Sequence, residues 1–245
     1  MSIVVVATGA DVAFSMRALI NAINTTPTNG PLFPVDAEPM QREILLQPDR
    51  GEDAVDSTAL VVIDLIYDLV HPNGRIPSCA QQVEARRVLS TANQAVAYAR
   101  KRGWPVVFVT VGFLKGYSDQ PKASPLFGQV DQLGALALDE IGTSFHPDLN
   151  VAPGDMVLAK PRISPFYGTR LEAILRANQI GCIVFAGVTT TWAIQAAARD
   201  AHDRDYRVLI LEDACADDTE EEHNTSIAML KQIATITSVR ELVSH

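Results

Sequence analysis

Three places in this sequence carry residue types that could do chemistry together. Asp64 closes the apolar run "ALVVIDL", Lys160 closes "DMVLAK", and the stretch "FAGVTTTWAIQAAARDA" runs from Phe185 to Ala201. In the third, the apolar run ends at Gly187 and a helical pattern begins among three threonines. Many α/β enzymes present a nucleophile at such a place, on the first turn of the helix that follows a strand. Here that residue is Ala193, whose methyl group attacks nothing. A carboxylate ending a strand buried on both faces needs a partner, because an unpaired buried charge is costly; Lys160 is the natural candidate. Two readings of the pair stay open on the residues alone, a structural ion pair (or a cap by Asp64) and an acid–base couple. Arg162 and Ser164 in "KPRISPFYGT" are equally readable as loop residues.

The elements that must position these residues follow from periodicity. From Thr58 onward short, β-branched apolar runs alternate with helical spacing: strands at 59–65, 105–111, 155–160, 182–187, 206–213 and 235–239, helices at 80–103, 168–181, 190–205 and 219–234. Continuous apolar runs of this length read as strands buried on both faces. Strict β–α alternation implies right-handed crossovers and a three-layer αβα sandwich on a mainly parallel sheet. Ligands in such sheets sit beyond the carboxyl ends of the strands, which selects Asp64, Lys160 and the 187–193 turn together. No GxGxxG or GxxxxGK[ST] follows a strand, which argues against nucleotide binding. The irregular stretch 112–152 is long enough to expect a functional or interfacial role. Residues 1–57 read differently: a short strand and helix, then "TTPTNGPLFPVDAEP" with its four prolines as an extended connector. They are taken as an N-terminal arm, and 58–245 as the main domain.

The 245 residues suffice for one large domain with a sizeable core. A net charge of −9 argues against nucleic acid or an anionic membrane as the main partner. No apolar run reaches the roughly 20 residues of a membrane span. The start "SIVVVATGADVAFSM" lacks the basic residues of a secretion signal. Three scattered cysteines, Cys79, Cys182 and Cys215, point to a reducing cytoplasm rather than a disulfide framework. There is no close CxxC or HxxxH pair for structural zinc.

The blocks "ALVVIDLIYDLVHPNG", "GDMVLAKPRISPFYGTRLEAILRANQI" and "IVFAGVTTTWAIQAAARDAHDRDYRVLILEDACA" together resemble the signature regions of the isochorismatase-like hydrolases, or cysteine hydrolase superfamily, over roughly residues 58–240. The resemblance implies a three-layer α/β fold, a homo-oligomer (dimer or tetramer), and hydrolysis of a small amide, ureido or carbamoyl compound. It matches Asp64 to the catalytic aspartate, Lys160 to the catalytic lysine, and Val188–Thr189 to a non-proline cis peptide. Ala193 falls where the amide-cleaving members carry their nucleophilic cysteine. The customary Asp-Met-Gln-Asn opening is replaced by Asp64-Leu65-Ile66-Tyr67, so Tyr67 stands where an asparagine often holds substrate. Phe166 and Tyr167 match pocket aromatics, Arg162 is placed among the substrate-binding positions, and the Val188–Thr189 turn is expected to shape an anion pocket. No Asp-x-His grouping like that of the metal-binding nicotinamidases is found, so neither metal nor other cofactor is expected.

Three explanations of Ala193 compete. It is an engineered exchange of a native cysteine in an amidohydrolase; or it is natural and the reaction is enol-ether hydrolysis, with protonated Asp64 as general acid; or the domain binds a ligand without catalysis. Other residues are weaker candidates. Cys182 and Cys215 read as core or loop thiols, and Cys79, after the "HPNGRIPS" loop, is the sole alternative nucleophile considered. His71 reads as a solvated turn residue that could line the pocket mouth. Trp192 reads first as packing, with a substrate-binding role kept beside it, and "TEEEH" as a solvated helix start.

Overall fold

The computed structural model describes residues 57–244. The expectations for residues 1–56 lie outside the described residues. Six parallel strands form one sheet in the order β3-β2-β1-β4-β5-β6: β1 is Thr58–Ile63, β2 Val106–Val111, β3 Met156–Lys160, β4 Cys182–Val188, β5 Arg207–Ala216 and β6 Thr235–Thr237. Every residue of β1, β2 and β4 is buried, as their unbroken apolar runs require. Successive side chains feed opposite layers. Val61, Ile63, Val109 and Phe185 pack against α4 (Leu171–Ala177), α5 (Gln195–His202) and α6 (Glu220–Leu230). Leu60, Val62, Phe108 and Val184 pack against α2 (Ala80–Ala85), α3 (Val88–Lys101) and α7 (Val239–Ser244). The three-layer αβα sandwich expected from the alternation is present.

The strand order reverses between β1 and β4, which creates the crevice where ligands collect in open α/β sheets. At that seam Gly187 has φ of 123°, and a Cβ there would sit inside the Ile63 carbonyl. Only glycine lets β4 approach β1 so closely.

Four elements differ from the sequence expectation. The helix over 80–103 is broken, because Arg87 adopts a left-handed φ of 56° between α2 and α3. The break leaves the Arg86 guanidinium reaching β5, donating to the Cys215 carbonyl at 3.1 Å and to Glu212 Oε1 at 2.6 Å. The helix expected over 168–181 is confined to α4. Thr169 Oγ1 accepts the Leu171 N–H at 3.1 Å at its start, and Gln179 turns left-handed beyond its end. β5 runs on to Ala216 through an irregularity against β4, so Cys215 lies inside the strand rather than beyond it. A closing helix, α7, follows β6 where only a strand was expected.

The 112–152 stretch is ordered by a small core of its own. Phe113, Phe127, Val130 and Leu136 pack on Ile66 and Val111. Its anchor is the buried Asp68 in α1 (Tyr67–Val70), which accepts N–H groups from Leu136 at 2.8 Å and Arg75 at 3.1 Å.

Candidate active site

Asp64 is the first residue past β1, in a left-handed conformation with φ of 56°. Lys160 ends β3, two strands away. That separation is roughly 10 Å in backbone terms, and the four-carbon lysine stem bridges it across the end of β2, where Val111 pairs with Lys160. Lys160 Nζ meets Asp64 Oδ2 at 2.7 Å, with only 2% and 4% of the two side chains exposed. The ammonium also donates to the carbonyls of Ile163 at 2.9 Å and Arg162 at 3.2 Å, so all three of its protons are directed. Burial pushes the Asp64 carboxyl above its ordinary range, and the opposing pull of Lys160 does not cancel it. The other oxygen, Oδ1, is buried with no hydrogen-bond partner among the described residues.

The third component is the turn after β4. Val188–Thr189 is a cis peptide, as the resemblance implied. Residues Thr190–Ile194 then form a widened π-type turn before α5, a deviation that recurs at functional sites. Thr189 Oγ1 accepts the Trp192 N–H at 3.2 Å, the Thr189 carbonyl accepts from Ile194 at 3.1 Å, and Asp217 Oδ2 accepts from Thr191 at 2.5 Å. Among the described residues the Ala193 N–H has no partner outside its own turn.

Asp64, Lys160, Thr189 and Ala193 line one cavity of about 110 Å³, otherwise walled by apolar side chains that include Leu126, Phe127 and Val130 of the long loop. Ala193 is 4% exposed. The cavity is smaller than the roughly 150 Å³ needed to hold a benzene ring, so it suits a group of a few heavy atoms. It adjoins a vestibule of about 620 Å³ with which it shares Phe127, Ile163 and Trp192.

The remaining sequence candidates fall elsewhere or at the margin. Tyr67 is not in the lining; its ring stacks on His71 at 4.1 Å. His71 faces a separate cavity of about 540 Å³ together with His146. Phe166 is buried in the core beside Tyr206 rather than facing the cavity. Val188 is buried in the opposite layer. Arg162 and Tyr167 line the vestibule, with the guanidinium 5.7 Å over the tyrosine ring. Trp192, read both as packing and as a substrate-binding position, is 51% exposed and lines both chambers. Cys79 lies outside this lining, hydrogen-bonds Asp218 and has its thiol pushed well up by burial, which disfavours the thiolate. Burial likewise pushes Cys215 up to about 12.

A buried network behind the turn was not foreseen. Thr190 Oγ1 donates to the Ala216 carbonyl at 3.0 Å and therefore accepts from His223 Nδ1 at 2.8 Å. With its proton on Nδ1, His223 offers Nε2 as an acceptor to Arg86 Nη2 at 3.0 Å; Glu212 Oε1 lies 3.2 Å from the same nitrogen, and Arg86 Nη2 donates to it at 2.6 Å. Burial, reinforced by Arg86, keeps the imidazole below its usual pKa and neutral. The signal was available: His223, Ser226, Ile227 and Leu230 share one helical face, and all four are buried. The acidic start of α6 is solvated, but its histidine is not.

The carboxyl edge of this parallel sheet thus brings together a buried carboxylate–ammonium pair and a helix-opening turn, the place where α/β enzymes of this topology hold their ligands. Residues 58–241 match the isochorismatase domain, and the chain belongs to the isochorismatase family of hydrolases. It is 32% identical to the isochorismatase family protein YecD of Escherichia coli O157:H7 over 192 residues, covering 77% of this chain and 95% of that one. It is also 32% identical to the ureidoacrylate amidohydrolase RutB of Methylorubrum extorquens, covering 69% and 73% of the two chains. N-carbamoylsarcosine amidase from Thermoplasma acidophilum superposes with a TM-score of 0.61 at 28% identity, covering 75% of this chain and 96% of that one. An isochorismatase family protein from Desulfovibrio vulgaris shares the fold, with a TM-score of 0.68 at 24% identity over 76% of this chain and 96% of that one.

Proposed function

We propose that this chain has the site of a hydrolase for small amide, ureido or carbamoyl C–N bonds, and that Ala193 leaves it able to bind such compounds but not to cleave them through a covalent intermediate. The observation that carries the reading is the meeting of Asp64, Lys160 and the Ala193 methyl in one cavity sized for a carbamoyl group. With sulfur on that methyl, the thiol proton passes to Asp64 and the thiolate attacks the carbonyl carbon. Charge developing on the carbonyl oxygen meets the N–H of residue 193 and the positive end of α5. Collapse breaks the C–N bond, the leaving nitrogen takes the proton from Asp64, and water then hydrolyses the thioester. The raised pKa of Asp64 makes it a stronger base for the first transfer and keeps the proton available for the second. Two relatives named for amide and ureido substrates support this choice of bond.

The test is Ala193→Cys, assayed for ammonia release from a panel of small amides and ureides. Turnover in the cysteine form alone, with a thioester captured by mass spectrometry, is expected. A folded but silent cysteine form counts against the reading.

A second reading, hydrolysis of an enol ether, is favoured by Asp64 itself. A carboxyl raised by burial, on the cavity wall and with one oxygen outside the ion pair, suits protonation of a vinyl carbon. Water then captures the oxocarbenium ion, and no nucleophilic side chain is needed. Turnover of isochorismate by the chain with Ala193 would select this reading over the first. Ligand binding with no turnover in either form would mark a binding protein.

A further inference from the structure

The inner cavity is too small to enclose more than the group being cleaved, so the rest of a substrate projects into the vestibule. There the charges are unbalanced. Arg162 Nη1 donates to two backbone carbonyls, Asp119 at 3.1 Å and Pro161 at 2.5 Å. Arg199 donates through Nε and Nη2 to one neutral acceptor, Gln195 Oε1, at 3.1 and 2.9 Å. By contrast Arg86, Arg100, Arg176 and Arg204 each hold a carboxylate. The acid in the vestibule wall, Asp200, is committed to Arg204 at 2.7 Å and to the Ser164 hydroxyl. On a chain of net charge −9, Arg162 and Arg199 line one vestibule with neutral acceptors as their hydrogen-bond partners; Arg199 also borders Glu221 and Glu222 in the next groove, so Arg162 carries the greater share of the imbalance. Fixing a planar fork beforehand also suits two-pronged binding of a carboxylate.

We propose that the vestibule anchors a carboxylate of the substrate through Arg162, assisted by Arg199, so that the compounds bound are small amido or ureido acids rather than neutral amides. This rests on the C–N hydrolase reading. Binding energy gathered at the acid end would hold the carbamoyl end against Asp64 and position 193, an orienting effect that acts on the reaction rather than on affinity alone.

The test uses the chain with Ala193, which binds without cleaving. Calorimetry compares N-carbamoylglycine and N-carbamoyl-β-alanine with their carboxamide twins, which match in shape but lack the charge. The acids are expected to bind roughly ten- to a hundredfold more tightly, the span of charge-assisted hydrogen bonds. Arg162→Met should remove most of that preference, weakening the acids far more than the carboxamides, Arg199→Met should reduce it, and Arg162→Lys should fall between. Unchanged melting temperatures would show that the variants fold. Equal binding of acid and carboxamide, or a preference that survives Arg162→Met, overturns the anchor. Failure of the two ideas is separable. An Ala193→Cys form that cleaves carboxamides as readily as acids sinks the anchor alone. Arg162-dependent acid binding beside a silent cysteine form retains the anion site and sinks the C–N reading.

Discussion

Replacing Lys160 by methionine keeps most of the apolar stem, one atom shorter, and removes the charge. Asp64 then stands at the sheet edge with its carboxylate buried and its former partner gone, and the Arg162 and Ile163 carbonyls lose a donor. Breaking a buried pair from one side costs about 3–5 kcal/mol at neutral pH. For a domain of this size that is a fall in Tm of roughly 6–20 °C. The cost should depend on pH in a defined direction. A carboxyl whose folded pKa lies above its unfolded value contributes most below the unfolded value, and that contribution is lost as pH rises through the folded one. Asp64 is already raised in the intact protein, and losing Lys160 raises it further. The penalty of Lys160→Met should therefore be largest near pH 8 and shrink as pH falls below the raised folded pKa, where the folded carboxyl is protonated with or without Lys160. Adding Asp64→Asn should recover much of the loss, giving a coupling energy of about 2 kcal/mol or more between the sites. Urea titrations of the four proteins at several pH values measure this. A penalty below about 1 kcal/mol, one independent of pH, or strictly additive single effects would refute the account of a desolvated, mutually dependent pair.

Two further expectations concern the scaffold around the site. Gly187→Ala should destabilise by about 3 kcal/mol or more, since it adds a methyl group inside the Ile63 carbonyl at a positive φ; chemical denaturation reads the loss, and a near-neutral result would contradict the close approach of β1 and β4. His223→Gln should flatten the acid limb of the stability curve. The histidine's folded pKa lies below its unfolded value, so its contribution is present above about pH 6.5 and lost as pH falls toward the folded pKa. Melts between pH 5 and 8 test this, and an acid limb of unchanged slope would contradict a neutral, buried imidazole.

How much of the molecule was legible in the sequence follows from which features are periodic. β1, β2 and β4 announce themselves because strands buried on both faces must be apolar throughout, and the alternation with helices then dictates a parallel sheet. Once the sheet is parallel, Asp64, Lys160 and Ala193 gather by rule, since each stands at or just past a strand's carboxyl end. Features made by interruptions were not legible. The left-handed Arg87 between α2 and α3 and the irregularity in β5 have no periodic signature, yet together they bring Arg86 to Glu212 and His223. Tyr67 and Phe166 show the limit of transferring positions by resemblance. The single turn of α1 lays the tyrosine on His71, and the segment after β3 sends the phenylalanine into the core beside Tyr206.

That Lys160 is delivered by β3, the strand at the sheet's margin, bears on how the protein folds. Asp64 sits at the centre of the sheet, and its countercharge, 96 residues further along the chain, is in place only once β3 has added itself through β2. Contacts that span so much chain close slowly. A half-assembled sheet therefore carries a carboxylate with nothing to neutralise it. It gains a reason to finish only when the outermost strand docks, so the charge that serves the site also penalises stopping early.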